Sequence, residues 1–352
     1  METVPSFDRF RHRDWLDTDP DDCIRFALVG LGSFTREWII PAIEQSAYGE
    51  TTCLVSGDGS KADRMAAEHG VDTAVTYDEF LDGVADDSYD AVYIATPNAL
   101  HLPYAEHAAA NGKHVLCEKP MEATAGRARE MVETCERAGV VLMVAYRLQF
   151  NPAVRWVRHL LREGTLGTPV HVRGAMSQDI FEAISPDPDQ WRLDPDLSGG
   201  AALADLGLYP LNTTRFLLGA DPDEVSAQVS NRHEEFDGVD ESIAFTVTYD
   251  DGTVGAYTAS QRASVTSHLH VTGTAGTVRL EPTFFGEVEA TLQTDAGTLT
   301  VEPGEENEMI EEFDYFASRI LTDGDVRPDG QHGLEDMETI GRLYEDAGLD
   351  LD

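Results

Sequence analysis

The chain has 352 residues, 41% of them hydrophobic, and carries 65 acidic against 25 basic side chains for a formal net charge of -40. That length exceeds one ordinary core and predicts two domains of a soluble globular protein. The charge excludes nucleic acid and anionic membrane as partners, because both would repel it. Acidic residues are spread along the chain rather than gathered in a tail, including inside helical patterns such as Met309-Ile310-Glu311-Glu312-Phe313-Asp314. A whole-surface acidity of this kind suits high salt, where at about 1 M the Debye length shrinks to roughly 3 Å and self-repulsion is screened.

Residues 1–22 are mixed in charge, with no apolar run resembling a secretory core, so they are expected to form an N-terminal extension of a cytoplasmic protein. From Ile24 the chain alternates short apolar strands with amphipathic helices. Strands are expected at Ile24–Val29, Cys53–Ser56, Ala91–Ala95, His114–Cys117 and Val140–Ala145. Helices are expected at Trp38–Ser46, Ala62–His69, Tyr104–Asn111 and Ala128–Ala138. Apolar strands separated by helices imply an α/β, doubly wound parallel sheet over 23–147, with its ligand crevice beyond the carboxyl ends of the strands.

After about residue 150 the pattern changes. A helix over Pro152–Arg162, a strand at Val170–Arg173 and a helix over Ala202–Leu218 precede a strand-rich stretch from Val225 to Val301. There Ser242–Tyr249 alternates with period two and ends in the hairpin signal Asp250-Asp251-Gly252. This predicts an α+β domain over 148–330 with a large, mostly antiparallel open sheet. Helices at Glu308–Leu321 and Leu334–Ala347 close the chain, and 331–352 is expected to pack back on the N-terminal domain. The four cysteines, Cys23, Cys53, Cys117 and Cys135, show no Cys-x-x-Cys spacing and read as free, buried thiols.

Four segments carry chemistry. The turn Gly30-Leu31-Gly32-Ser33-Phe34-Thr35-Arg36 follows the first strand and has the first two glycines of a dinucleotide fingerprint, with Thr35 at the third place. The first two glycines serve the tight turn and pyrophosphate approach; the third serves helix packing, so its loss is tolerable. The second strand ends in Ser56, where an NAD enzyme commonly carries an acidic residue for the ribose 2′-hydroxyl. Lys61 and Arg36 would supply charge to a 2′-phosphate, so NADP is preferred over NAD, with Asp58 dissenting. Thr96-Pro97-Asn98 and His101 lie at the carboxyl edge of the sheet and are candidates to line the cofactor; a structural histidine is the alternative for His101. Glu118-Lys119-Pro120 follows another strand, and a lysine before proline is held extended, which suits a positioned ammonium.

The fourth segment is Asp205-Leu206-Gly207-Leu208-Tyr209, preceded by Ser198-Gly199-Gly200. Asp205 and Tyr209 are four apart and share one helix face. A tyrosine in an apolar stripe is usually core, but the aspartate beside it points to a site. No His/Cys/Asp cluster has metal-ligand spacing.

With Gln190-Trp191-Arg192-Leu193, these segments together resemble the glucose-fructose oxidoreductase / inositol dehydrogenase (Gfo/Idh/MocA) family, from about Ile24 to the C-terminal helices. Val55-Ser56-Gly57-Asp58 and Ala91-Val92-Tyr93-Ile94 followed by Pro97-Asn98 are most similar to the branch containing NADP-dependent pyranose and xylose dehydrogenases. The resemblance implies an NADP-dependent aldose 1-dehydrogenase, with D-xylose the foremost substrate and an aldonolactone the product. It places Trp191 and Arg192 near the cofactor and Tyr146-Arg147 in the sugar pocket, with a structural ion pair as the alternative for Arg147. Lys119 from one domain, and Asp205 and Tyr209 from the other, would form the catalytic set with Tyr209 as general base. A phenol is a poor base at neutrality, but the Lys119 ammonium and the positive nicotinamide ring would favour the phenolate. Relatives in the inositol dehydrogenase branch carry histidine where this chain has Tyr209. The alternatives are a dehydrogenase for another sugar, polyol or dihydrodiol, and a non-catalytic NAD(P)-sensing regulator. A homodimer or homotetramer through the open sheet face is expected by the same resemblance.

Overall fold

The computed structural model describes residues 6–11, 13, 15, 16, 20, 22–302, 304, 306–349 and 351. The expected extension over 1–22 therefore lies partly outside the described residues; within it, Phe7–Arg11 forms a short 3₁₀ helix. Contacts divide the chain into two units. One is Trp15–Arg147 with Asn307–Leu334; the other is Leu148–Glu306 with Glu335–Asp352 and the described part of Met1–Asp14.

The first unit holds β1 (Ile24–Val29), β2 (Gly49–Ser56), β3 (Thr73–Thr76), β4 (Ala91–Ile94), β5 (His114–Glu118) and β6 (Leu142–Ala145) in one parallel sheet of order β3-β2-β1-β4-β5-β6. Every residue of β4 and β6 is buried, which is why these runs read as continuous apolar text. The strand order reverses direction beside β1, and there the first glycine turn emerges. β3 was not expected: Thr-Ala-Val-Thr is short and half polar, and only pairing with β2, Val55 opposite Val75, makes it a strand. The helix Tyr77–Leu81 behind it starts with a capping box between Thr76 and Glu79.

Residues 307–330 group with this unit, not with the domain that precedes them in sequence. The helix Glu308–Leu321 lays Phe313 edge-on to Phe26 at 5.2 Å and against Tyr93 at 5.2 Å. Its buried Asp314 accepts hydrogen bonds from Ser46 Oγ (2.5 Å) and the amides of Ala47 (2.8 Å) and Tyr48 (3.1 Å), fastening the turn that enters β2. The last helix, Gly330–Ala347, is cut by the division between Leu334 and Glu335, so its second half belongs to the other unit.

In the second unit, β7 (Pro169–Asp179), β8 (Pro222–Ser230), β9 (Ser242–Tyr249), β10 (Val254–Ser260), β11 (Arg262–Gly273), β12 (Gly276–Leu280), β13 (Ala290–Thr294) and β14 (Gly297–Val301) form one sheet of order β14-β13-β12-β11-β7-β10-β9-β8. All pairs are antiparallel except β10 with β7. In β10, Gly255, Tyr257 and Ala259 are buried while Val254, Ala256 and Thr258 are exposed. One sheet face thus packs on the helices Pro152–Arg162 and Leu208–Leu218, and the other is accessible. Cys53, Cys117 and Cys135 are free and buried, and Cys23 is free and half-buried.

Candidate functional site

The nucleotide turn is built by close approach. Gly30 has φ +101°, and a Cβ there would lie 2.5 Å from the Ala95 carbonyl oxygen, so only glycine fits. A Cβ on Gly32 would meet nothing within 4 Å, which leaves its exposed backbone open to a ligand. Thr35, at the place of the third glycine, is buried and its Oγ1 donates to the Gly30 carbonyl at 2.7 Å. The departure from the fingerprint therefore locks the turn. Ser33 is exposed and Phe34 half-buried at the start of the following helix, whose residues Thr35–Ile39 take π-helical form.

At the end of β2, buried Ser56 accepts a hydrogen bond from the Asp58 amide at 3.2 Å. Asp58, the residue that spoke for NAD, caps the helix Gly59–His69 by accepting from the Lys61 amide at 3.2 Å. Lys61 Nζ reaches back to the Leu31 carbonyl, and Arg36 Nε donates to the Gly32 carbonyl at 3.3 Å. Two cations thus gather on the glycine turn. Burial, and next the charge of Arg36, lowers the Lys61 pKa, a cost that a dianionic phosphate would relieve. These residues fit a 2′-phosphorylated dinucleotide: an open glycine backbone, paired cations, and a capping carboxylate held by its own helix.

Thr96 and Asn98 are buried and Pro97 half-buried after β4. His101 is packed inside the fold. It is 1% exposed, with Nε2 3.0 Å from the Thr96 carbonyl and Nδ1 3.2 Å from the Met121 carbonyl and 3.4 Å from Cys117 Sγ. Both ring nitrogens thus face backbone carbonyl oxygens, and burial lowers the ring's pKa against the pull of Glu122 and these carbonyls. His101 ties the loop after β4 to the loop after β5.

Glu118 is also turned inward. Its Oε1 accepts from Tyr93 Oη at 2.7 Å and its Oε2 from the Lys119 amide at 3.1 Å, so both oxygens hold the turn that presents half-buried Lys119. Burial raises the Glu118 pKa against the pull of Lys119. Glu312 is buried nearby, its pKa pushed well above the ordinary range by burial and then by the charge of Glu118. Arg147, expected to line a sugar pocket, forms an ion pair with Glu308. Tyr146 is buried with its ring edge-on to His332 at 5.8 Å.

In the second unit the stretch 201–217 is buried throughout except at Asp205 and Tyr209. They mark one accessible stripe, although Ala202–Gly207 is π-helical before the α-helix Leu208–Leu218. π-turns of this kind are frequent at functional sites. The Tyr209 ring lies 5.9 Å from Phe284. Asp205 Oδ2 accepts from Gln261 Nε2 at 3.0 Å and lies 3.6 Å from Arg192 Nε. The Arg192 guanidinium sits 4.4 Å from the centre of the Trp191 ring, so Trp191, Arg192 and Asp205 form one cluster.

The helix start is anchored by residues that no local motif revealed. Asp240, fully buried, accepts from the amides of Ala201 (2.7 Å), Ala202 (3.1 Å) and Leu203 (2.6 Å) and from Tyr344 Oη (2.9 Å). Burial raises the Asp240 pKa to about 6, and the backbone donors pull against it. Gly200, at φ +122°, is required because a Cβ would overlap the Tyr344 hydroxyl. Gly200→Ala is expected to cost about 2–4 kcal/mol, read as a lower denaturant midpoint at unchanged slope. Among the described residues no group of three His, Cys, Asp or Glu side chains is placed to hold a metal ion, and no helix is long and apolar enough to cross a membrane.

Comparison with known proteins agrees with both halves. A family model described as "Oxidoreductase family, NAD-binding Rossmann fold" matches residues 24–146, and one described as "GFO/IDH/MocA C-terminal domain" matches 154–279. The chain is 50% identical to a D-xylose 1-dehydrogenase [NADP(+)] of Haloarcula marismortui, over 96% of this chain and 94% of that protein. It is 33% identical to D-xylose 1-dehydrogenase (NADP(+)) 2 of Haloferax volcanii, over 92% and 97%. Among solved structures, an aldose-aldose oxidoreductase from Caulobacter crescentus superposes with a TM-score of 0.87 at 30% identity, covering 93% of this chain and 98% of that one. A Rossmann sheet with an open glycine turn, followed by a mixed eight-stranded sheet beneath the Asp205/Tyr209 helix, places the chain in the GFO/IDH/MocA oxidoreductase family.

Proposed function

We propose that the chain is an NADP-dependent aldose 1-dehydrogenase that oxidises the C1 hydroxyl of cyclic D-xylose to the lactone. The observation that carries this reading is the 50% identity, over nearly the whole chain, to the D-xylose 1-dehydrogenase [NADP(+)] of Haloarcula marismortui. The Lys61/Arg36 pair beside the glycine turn supports the choice of NADP. The accessible Asp205/Tyr209 stripe supports a polar substrate on that helix.

NADP, when bound, accepts the C1 hydride. Gly30, Gly32, Ser33, Phe34, Thr35, Arg36, Ser56 and Lys61 would hold the nucleotide, with the Lys61 and Arg36 cations available to its 2′-phosphate. Tyr209 Oη takes the proton of the C1 hydroxyl as the C1–O bond becomes a carbonyl. The Lys119 ammonium donates to the sugar oxygen. Asp205 accepts a hydrogen bond from the sugar. The same reading takes the protein to be a cytoplasmic enzyme of pentose catabolism adapted to high salt, in keeping with the net charge of -40. It takes the assembly to be a homodimer or homotetramer through the accessible face of the eight-stranded sheet.

Initial rates with NADP+ and NAD+ across pentoses and hexoses in molar KCl test the reading. Highest kcat/KM with D-xylose and NADP+ is expected; no coenzyme reduction with any aldose overturns it. Lys61→Ala is expected to raise KM for NADP+ about tenfold while leaving KM for NAD+ near its original value. An equal rise for both coenzymes would remove Lys61 from the 2′-phosphate.

A further inference from the structure

Two buried amide side chains stand behind Asp205. Gln178, near the end of β7, is 4% exposed, and Gln261, the single residue between β10 and β11, is 0% exposed. Gln261 is held at both backbone ends, its amide donating to the Glu241 carbonyl and its carbonyl accepting from the Ile180 amide, each at 2.9 Å. Its Nε2 lies 3.3 Å from the Ala201 carbonyl and 3.0 Å from Asp205 Oδ2. Its Oε1 accepts from Gln178 Nε2 at 3.0 Å.

These contacts settle which end of the Gln261 amide faces Asp205. A peptide carbonyl is an acceptor only, so the atom near both Ala201 O and Asp205 is the donor nitrogen. Reversing the amide would set its oxygen against two acceptors and turn Gln178 Nε2 toward a donor. Gln178 therefore holds Gln261 in the orientation that donates to Asp205. Burying two primary amides costs more than burying two leucines of similar size unless every polar atom is paired. A hydrogen-bonded chain of two buried amides ending on the Asp205 carboxylate is a costly way to fill a core, and its effect is on the carboxylate. Donation stabilises the ionised form and holds one oxygen from behind.

We infer that Gln261, oriented by Gln178, is a positioning residue that keeps Asp205 ionised and fixed beside Arg192. This rests on the reading of Asp205 as part of the reacting machinery. Gln261 acts only through Asp205.

The test measures kcat, kcat/KM and melting temperature for Gln261→Leu and Gln178→Leu with D-xylose and NADP+ across pH, with NADP+ affinity followed by fluorescence. For Gln261→Leu, kcat is expected to fall on the order of tenfold, with the acid limb of the pH profile moved up by about one unit and NADP+ affinity changed less than about twofold. Gln178→Leu should move the limb in the same direction by less. A merely structural role would lower the melting temperature without shifting the limb, and superimposable pH profiles overturn the inference. Should Gln261→Leu fail to fold, Gln178→Leu decides alone, since it leaves Gln261 and its backbone bonds in place. Asp205→Asn separates the two layers. Wild-type rates in that variant overturn the assignment of Asp205 and the inference with it. A rate loss there alongside an unshifted limb in Gln261→Leu overturns the inference alone.

Discussion

Lys119→Met is expected to lower kcat for D-xylose on the order of 10³-fold while NADP+ affinity stays within a few-fold of the original. Methionine keeps an unbranched stem of similar reach and removes only the charge and its donors. The local backbone should survive, because the turn is held by the Lys119 amide and the Glu118 carboxylate, which in turn accepts from Tyr93. Stopped-flow and steady-state rates in molar salt, with coenzyme titration alongside, give both readouts. Full turnover in this variant would sink the role of Lys119.

Tyr209→Phe is the second large effect. The ring sits against Phe284 at 5.9 Å, and phenylalanine preserves that contact while deleting the hydroxyl. Melting temperature should change little, and kcat should fall by roughly 10²–10⁴-fold, the range of a lost general base. The two variants make a paired test. If Tyr209 takes the proton with help from the ammonium, the double variant should be scarcely slower than the slower single one, because residues acting as a unit are non-additive. Independent losses that multiply would separate the two residues.

Much of the architecture was legible because burial on both faces forces continuous apolar text. β1, β4 and β6 announce themselves in this way, and the period-two alternation of β9 did the same for the second sheet. β3 was not legible, since Thr73–Thr76 becomes a strand only by pairing with β2. The pairing of Asp205 with Tyr209 was legible from spacing, and burial of everything around them in 201–217 sharpened it.

What local sequence determined, then, were the elements and the residue types that can do chemistry: the glycine turn, Lys119, Asp205 and Tyr209. Tertiary structure alone decided which polar groups stay accessible and which are consumed within the fold. It turned His101 and Glu118 inward, paired Arg147 with Glu308, and made Asp58 a helix cap. It also brought Gln261 to Asp205 across 56 residues and Tyr344 to Asp240 across 104. Helix and strand periodicity is written in neighbours along the chain, whereas the partner of a buried polar group is chosen by packing and can lie anywhere in the sequence.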